Sequence, residues 1–409
     1  ISTGLNPTQE YFKNLSFGEH HHILGPGTSD EVRLAVYNMI RNFIPHLIAL
    51  SVNSPFENKR PTDEVEVDDS GRVRAPRCKR SIRLLRNTTQ LGPISEFEFV
   101  PYMRSMNPEF FARHVKRSFA RMVDIYPFTD YETIELRVFD TQLSIPRRVG
   151  IALILQALAL KAKKMVHSGQ VVPDMGAKSL AANRASAVAA GLWGPFRPGG
   201  GEENPEFAQI YNFKIEDNGA VSSSKRNRFL GDAVVSMLFL IREELEELGL
   251  TENPFMQALF VSIFGSEYVK QRTTCADYQL EVYASSDLNM VVLLRRLWEV
   301  TRECCTNWLH DPLQGTPQLP TWLCWWRGLE PEIVVCPEPV TAGELAEFTL
   351  LLKNTTTHDL RNIVVTYTVE DADRRVVERS LIPIAVISGG EVRSDTITFV
   401  TSRGVPAYN

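Results

Sequence analysis

The sequence predicts an α+β fold, antiparallel sheet backed by helices and followed by a small all-β domain, on three observations. Tyr131-Glu132-Thr133-Ile134-Glu135-Leu136-Arg137-Val138-Phe139-Asp140 alternates as a strand does, with Ile134, Leu136 and Val138 on one face and Glu135, Arg137 and Phe139 on the other. The stretch from Pro146 to about residue 309 carries apolar periodicities of helical type. From about Pro331 the chain changes to β-branched runs, Ile333-Val334-Val335, Phe348 to Leu352, Ile363 to Tyr367 and Thr396 to Val400, spaced by Gly, Asn, Asp and Pro turns. These last eighty or so residues read as an immunoglobulin-like sandwich.

Each element follows from local chemistry. Phe17-Gly18-Glu19-His20-His21-His22-Ile23-Leu24 is a short strand with His20 and His22 on one face and His21 opposite. Two imidazoles at strand spacing can converge on one ion, although a solvated edge strand has the same spelling. Thr28 as N-cap and Glu31 three residues later form a capping box for a helix with Val32, Val36, Met39, Ile40 and Phe43 on its apolar face. Pro45 kinks this helix without ending it, since Leu47, Ile48 and Leu50 continue the face. A hairpin over residues 63 to 75 turns at Asp69-Ser70-Gly71.

Arg77, Lys79, Arg80, Arg83 and Arg86 then make a dense basic run. It reads as a solvated helix face, as a nucleotide-phosphate contact or, with its field cancelled by Asp63, Glu64, Glu66, Asp68 and Asp69, as a weak nucleic-acid patch. Helices are predicted over Pro146 to about Val166, Ser179 to Leu192, and about 226 to 249, 253 to 264 and 287 to 309. Pro195 to Pro205, with Gly199-Gly200-Gly201, reads as a flexible loop or lid. The Trp-rich stretch Pro320 to Trp326 reads as packing between domains. The expected domains are therefore 1–310, a linker at 311–330, and 331–409.

The 409 residues, 44% hydrophobic and 23% charged with net charge -5, describe a globular protein with no global argument for nucleic acid or membranes. No run approaches the ~18 apolar residues of a spanning helix. The six irregularly spaced cysteines form no C-x-x-C and fit a reducing, cytoplasmic setting. A zinc hydrolase built on the histidines would lack an H-E-x-x-H motif. An Ile1 start, in a polar segment leading directly into the histidine strand, carries the expectation of an upstream piece.

Taken in order, Gly18-x-His20-x-His22, Leu50-x-x-Asn53-Ser54-Pro55-Phe56, the arginine-bearing stretch to Gly92-Pro93, Thr133 to Asp140, Asn183-Arg184, Ala276-Asp277-x-Gln279 and Asp287-Leu288 resemble the GCS2-type glutamate–cysteine ligase family of carboxylate–amine ligases. The resemblance covers about residues 10 to 305 and implies a curved, glutamine-synthetase-like sheet. It implies ATP and Mg2+ as cofactors, activation of a glutamate-like carboxylate as an acyl phosphate, and attack by an amine, with small molecules or peptides as substrates. Such phosphoryl transfer crowds anions, which cations must neutralise.

Carried onto this chain, the family pattern makes Glu135 and Arg137 catalytic and His20, His22 and Glu135 metal ligands. Arg77, Arg80 and Arg83 would hold the nucleotide, and Asn53, Ser54, Arg60, Asn183 and Arg184 the substrate. The family's opening strand of clustered glutamates is not found before His20. That departure implies a separate or partner segment completing the metal shell and pairing at the sheet edge, a homo- or hetero-oligomer, or a catalytically silent regulatory subunit.

Overall fold

The computed structural model describes residues 18–57, 60–61, 66–67, 73–74, 80–81, 84, 92–95, 124–128, 131–200, 203–323, 329–335, 345–355, 359–370 and 376–400. The described residues form a mixed helix and sheet fold, α+β, with small antiparallel sheets. They divide into two compact units, one of residues 1–216 and 220–319, the other of 217–219 and 320–409.

In the first unit β1 (Gly18–Ile23) precedes α1 (Asp30–Ser51). The two-stranded pairs β2 (Phe56–Glu57) with β3 (Arg60–Pro61) and β4 (Glu66–Val67) with β5 (Val73–Arg74) follow, the second matching the expected hairpin. Strands β6 (Ile125–Phe128) and β7 (Thr133–Asp140) complete a three-stranded antiparallel sheet of order β1-β7-β6. The register sets His22 and Tyr126 on either side of Glu135, and His21 and Ile125 on either side of Leu136. A bulge between Glu19 and His21 twists the edge strand and re-aims His20.

Strand β7 is central because it is apolar on one face and mostly covered on the other: Ile134, Leu136, Val138 and Phe139 are fully buried. Against it packs α1, whose apolar face is buried together with its polar Arg33, Arg41, Asn42 and His46. Its N-cap is Ser29, whose Oγ accepts from the Val32 N–H, and not Thr28; both residues can cap, and the chain takes the one that starts the helix one residue later. Pro45 lies within an unbroken helix, as its apolar continuation predicts.

Helix α2 (Ile145–His167), capped by Ser144, and α3 (Ala177–Ala190), continued by a 3-10 turn over Gly191–Trp193, flank α1. Then come α4 (Pro205–Asn212), the small hairpin β8 (Lys214–Ile215) and β9 (Val221–Ser222), and α5 (Leu230–Leu240). The single helix expected near 226–249 is two, α5 and α6 (Arg242–Glu247). After α7 (Pro254–Phe264), the expected 287–309 helix begins at Met290 as α9 (Met290–Thr306), and α8 (Cys275–Ser285) precedes it under a Thr274 capping box. The close crossing of α2 and α7 needs Gly150, since a Cβ there would stand 2.9 Å from both Leu259 Cδ1 and the Phe255 carbonyl. None of the described helices is long and apolar enough to cross a membrane.

The loop read as flexible is instead fastened along α3. Ser186 and Ser179 hydroxyls donate to the Pro195 and Pro198 carbonyls, Asn183 exchanges two hydrogen bonds with the Arg197 backbone, and the Gly200 N–H donates to the Met175 carbonyl. Gly199 serves close approach rather than mobility, for a Cβ would meet the Met175 carbonyl at 2.5 Å.

In the second unit β10 (Leu329–Val335), β11 (Leu345–Asn354) and β14 (Val392–Val400) form one antiparallel sheet of order β10-β11-β14, and β12 (Leu360–Glu370) pairs with β13 (Val376–Ile387) in another. Leu350, Leu352, Leu360, Ile363, Ile384, Ile387 and Ile397 make one core from both sheets. Trp325 and Trp326 of the Trp-rich stretch lie outside the described residues.

His46 on α1 is fully buried among Phe43, Phe196 and Tyr211, and neither ring nitrogen has a hydrogen-bond partner among the described residues. Burial lowers its pKa from 6.5 to about 3. The folded state therefore holds His46 neutral while the unfolded chain takes up a proton below pH 6.5, so stability is full above that pH and falls as the pH drops toward 3. Between pH 6.5 and 5 this amounts to about 2 kcal/mol. Urea unfolding of His46→Leu should show a pH dependence shallower by about that amount over the same range; an unchanged slope would assign the acid sensitivity elsewhere.

Candidate functional site

Glu135 is the centre of the charged face of β7. Its side chain is 4% exposed, and burying a carboxylate that deeply is costly unless cations and donors surround it. They do: Arg137 Nη1 donates to Oε1 at 2.5 Å, His20 Nδ1 lies 3.4 Å from the same oxygen, and His22 Nε2 lies 3.7 Å from Oε2. His20 Nδ1 is also 3.2 Å from Arg137 Nη1, and His22 Nδ1 is 2.9 Å from the Thr133 hydroxyl.

Strand alternation puts Thr133, Glu135 and Arg137 on one face, and pairing with β1 brings His22 beside Glu135, so two sequence-distant polar strands meet as their spacing predicts. The imidazoles are 36% and 40% exposed, which leaves the cluster open to a ligand on its outer side. His21 faces away and packs edge-on against Phe139 with centroids 4.8 Å apart, its pKa lowered by burial.

The expected metal set is where the geometry departs from the reading. His20, His22 and Glu135 are neighbours, and the guanidinium of Arg137 shares the Oε1 oxygen of the carboxylate with His20. Among the described residues no group of three or more His, Cys, Asp or Glu is arranged to hold a metal ion. A magnesium ion also prefers about six oxygen contacts, and this trio offers a single carboxylate. Among the described residues this cluster thus supplies at most part of a magnesium shell.

A second node sits at the far end of β7. Asp140, 2% exposed, accepts from the Asn53 N–H at 2.8 Å, the Ser54 hydroxyl at 2.8 Å and the Ser81 hydroxyl at 3.1 Å. Asn53 Nδ2 donates to the Thr141 carbonyl, and Gln279 Nε2 donates to the Asn53 carbonyl at 2.9 Å and to its Oδ1 at 2.5 Å. Arg80, 3% exposed, pairs with Asp277 at 2.8 Å. The Asn53-Ser54 motif and the late Asp277-x-Gln279 motif therefore join at one carboxylate and one ion pair. Of the basic run, Arg80 is buried and paired rather than solvated; Arg77 and Arg83 lie outside the described residues, as does the side chain of Arg60.

Asn183 and Arg184 hold the scaffold. Asn183 ties α3 to Arg197, and Arg184 forms a fork onto buried Asp124 at 2.5 and 3.0 Å while donating to the Leu84 carbonyl. Ser81, Asp124 and Glu19 were not singled out by the motifs. Glu19 accepts from the Gln142 N–H at 2.7 Å and pairs with Arg148 at 2.8 Å, tying β1 to the loop after β7. The Gly18-x-His20-x-His22 motif carries no signal of this; only the register does. Cys275 is buried with its thiol pushed up to about 11 by burial, which disfavours the thiolate at neutral pH.

Residues 8–198 match the family model described as glutamate–cysteine ligase family 2 (GCS2), which bears out the resemblance drawn from the motifs. Among curated proteins the chain is similar to "Putative glutamate–cysteine ligase 2" of Acidovorax sp. (strain JS42), 35% identical over 147 residues that cover 35% of this chain and 34% of that protein. The protein of the same name from Azoarcus sp. (strain BH72) is 31% identical over 143 residues, covering 35% and 34%. The match thus spans about a third of the length of these relatives. Both the Glu135 cluster and the Asp140 node fall on residues inside the family match, whereas Asp277 and Gln279 lie beyond it.

Removing one partner of the central pair should be worse than removing both. Arg137→Met leaves the 4% exposed Glu135 carboxylate with much less compensation and should destabilise the fold by about 3 kcal/mol in urea unfolding. The double substitution Glu135→Gln with Arg137→Met should recover at least half of that loss. Additive losses would show that the two side chains do not support one another.

Proposed function

We propose that this chain, whose residues 8–198 carry the glutamate–cysteine ligase family 2 pattern, is a carboxylate–amine ligase. The reading is an ATP- and Mg2+-dependent amide synthesis between a glutamate-like carboxylate and an amine through an acyl phosphate. A carboxylate oxygen attacks the γ-phosphorus, the bond to the ADP oxygen breaks, and the amine then displaces phosphate from the acyl carbon with loss of one proton. The single observation that carries it is the gathering of a guanidinium and two imidazoles around a buried carboxylate, on the accessible face of the strand that holds the family motif.

The residues divide the work. Arg137, 20% exposed and oriented by Glu135, has a planar fork suited to the equatorial oxygens of the transferring phosphoryl group. Glu135 fixes that fork and keeps it from collapsing onto the substrate carboxylate. His20 and His22 stand at the open rim, where their ring N–H groups add donors to the same anion as charge builds. ATP supplies the phosphoryl group. Magnesium, when bound, would neutralise charge on the phosphates.

The Asp140 node lends the site rigidity. Asn53 and Ser54 spend their polar atoms on Asp140, Thr141 and Gln279, which supports a positioning role beside the substrate rather than open contact with it. Arg80 stands in the same relation to Asp277. The C-terminal unit is read as the immunoglobulin-like sandwich and as an assembly element, and the protein as a cytoplasmic oligomer that works with a further segment or partner at the β1 edge.

Amide formation assayed by mass spectrometry, on the protein purified with its native partners, tests this reading. Glu135→Gln and Arg137→Lys should each lower turnover on the order of 100-fold or more. The double Glu135→Gln, Arg137→Met variant should recover stability without recovering turnover. Near-normal activity in that double variant would reduce the pair to a structural contact and overturn the assignment.

A further inference from the structure

Five cations converge on one cleft of the first unit, and no residue of the Glu135 cluster or the Asp140 node lines it. Lys214, Lys225, Arg226, Arg228 and Arg272 line it with Ser224, Phe229 and Asp232, around a cavity volume of about 690 Å³. Asp232 is the only acid in the lining, and its carboxylate is already engaged: one oxygen accepts from the Arg228 and Phe229 N–H groups, the other from the Arg272 guanidinium. Lys225 reaches Glu216 at 3.5 Å. Among the described residues Lys214, Arg226 and Arg228 form no ion pair. In a chain of net charge -5 this local surplus is unusual, and like charges held in one cleft repel unless an anion enters.

The cleft is held in place rather than left to a mobile loop. Its basic segment is anchored from beneath by Asn227, 4% exposed, whose Nδ2 donates to the Ile210 carbonyl and to the Ser236 hydroxyl. The Phe196 N–H donates to the Arg228 carbonyl at 2.9 Å, the Leu230 N–H to the Gly194 carbonyl at 2.8 Å, and the Lys214 N–H to the Lys225 carbonyl at 3.2 Å.

Arg272 is placed at a cost. Its backbone has φ +67, a conformation that persists only where the surroundings enforce it. Its side chain lies across Gly231, where a Cβ would stand 2.8 Å from Arg272 Cδ, and its guanidinium stacks 5.0 Å from the centroids of both Trp193 and Phe229. A packed, oriented guanidinium of this kind is suited to oxyanion recognition.

We propose that this cleft is a binding site for a small phosphate-bearing polyanion, of di- or triphosphate charge, with Arg226, Arg228 and Lys214 as the groups that meet it and Arg272 as the fixed wall. Guanidinium forks match phosphate oxygens in pairs, and the volume admits a metabolite-sized anion. The site is separate from the ligase reading and stands or falls without it.

Isothermal titration of the purified chain with inorganic tripolyphosphate tests the proposal. Saturable one-to-one binding is expected, weakened at least tenfold in Arg226→Gln/Arg228→Gln and steeply reduced by added salt. Arg137→Lys, at the other site, should leave this binding unchanged. Circular dichroism of the double variant confirms that its fold is kept, and Lys214→Gln, a single change at a strand end, provides a second reading of the same loss. Absence of saturable binding, affinity in both cleft variants undiminished from that of the unaltered chain, loss of binding in Arg137→Lys, or sulfate binding as tightly as tripolyphosphate would each overturn the site. Tighter binding to an RNA oligomer than to tripolyphosphate would overturn it in favour of a polymer surface.

Discussion

A carboxylate carried on a buried strand governs much of this structure. Glu135 lies in the middle of β7, a strand that must also present Ile134, Leu136 and Val138 to α1. The apolar face fixes the strand's position, and alternation then forces residue 135 onto the opposite face whether or not a charge is welcome there. Desolvation makes an isolated carboxylate at that place untenable, so Arg137 two residues on and the histidines of β1 are required as partners. The register of β1 against β7 is thus set by charge on one face as well as by packing on the other.

That requirement couples fold to chemistry. A guanidinium held by a buried acid has few rotamers left to lose when an anion arrives, which lowers the entropic cost of orienting it. The partial exposure of His20 and His22 makes the cluster accessible from one side only. At the other end of β7, Asp140 gathers Asn53, Ser54 and Ser81, and Gln279 closes over Asn53 from α8. One strand therefore carries two buried carboxylates five residues apart, the first beside cationic and imidazole groups and the second held by backbone and hydroxyl donors. The lock between Arg80 and Asp277 extends the Asp140 end to a helix more than a hundred residues further along the chain.

Much of this was legible in the sequence because it rests on period and sign. Period two made β7 a strand with charges on one face, and the run from Val32 to Leu50 made α1 a helix through Pro45. What escaped needed three-dimensional information. Gly199 and Gly200 spell mobility, yet their lack of side chains lets the loop lie against Met175. The partners of Asn183 and Arg184, the Arg197 backbone and Asp124, are distant in the sequence and are not shown by it. That Arg137, His20 and His22 share one carboxylate follows from the pairing of β1 with β7, which neither motif shows alone. The basic cleft is spread over positions 214, 225 to 228 and 272, so no window along the chain contains it.

The account's central claim is that the charged face of β7 supports phosphoryl transfer to a carboxylate, and oxygen tracing tests it most directly. With the substrate carboxylate labelled in both oxygens by 18O, an acyl phosphate intermediate moves one labelled oxygen into inorganic phosphate for every amide formed. The account predicts that transfer at a one-to-one ratio in the protein purified with its native partners, and its collapse together with amide formation in Arg137→Lys. Amide formed with unlabelled phosphate, or label transfer undiminished in that variant, would contradict it.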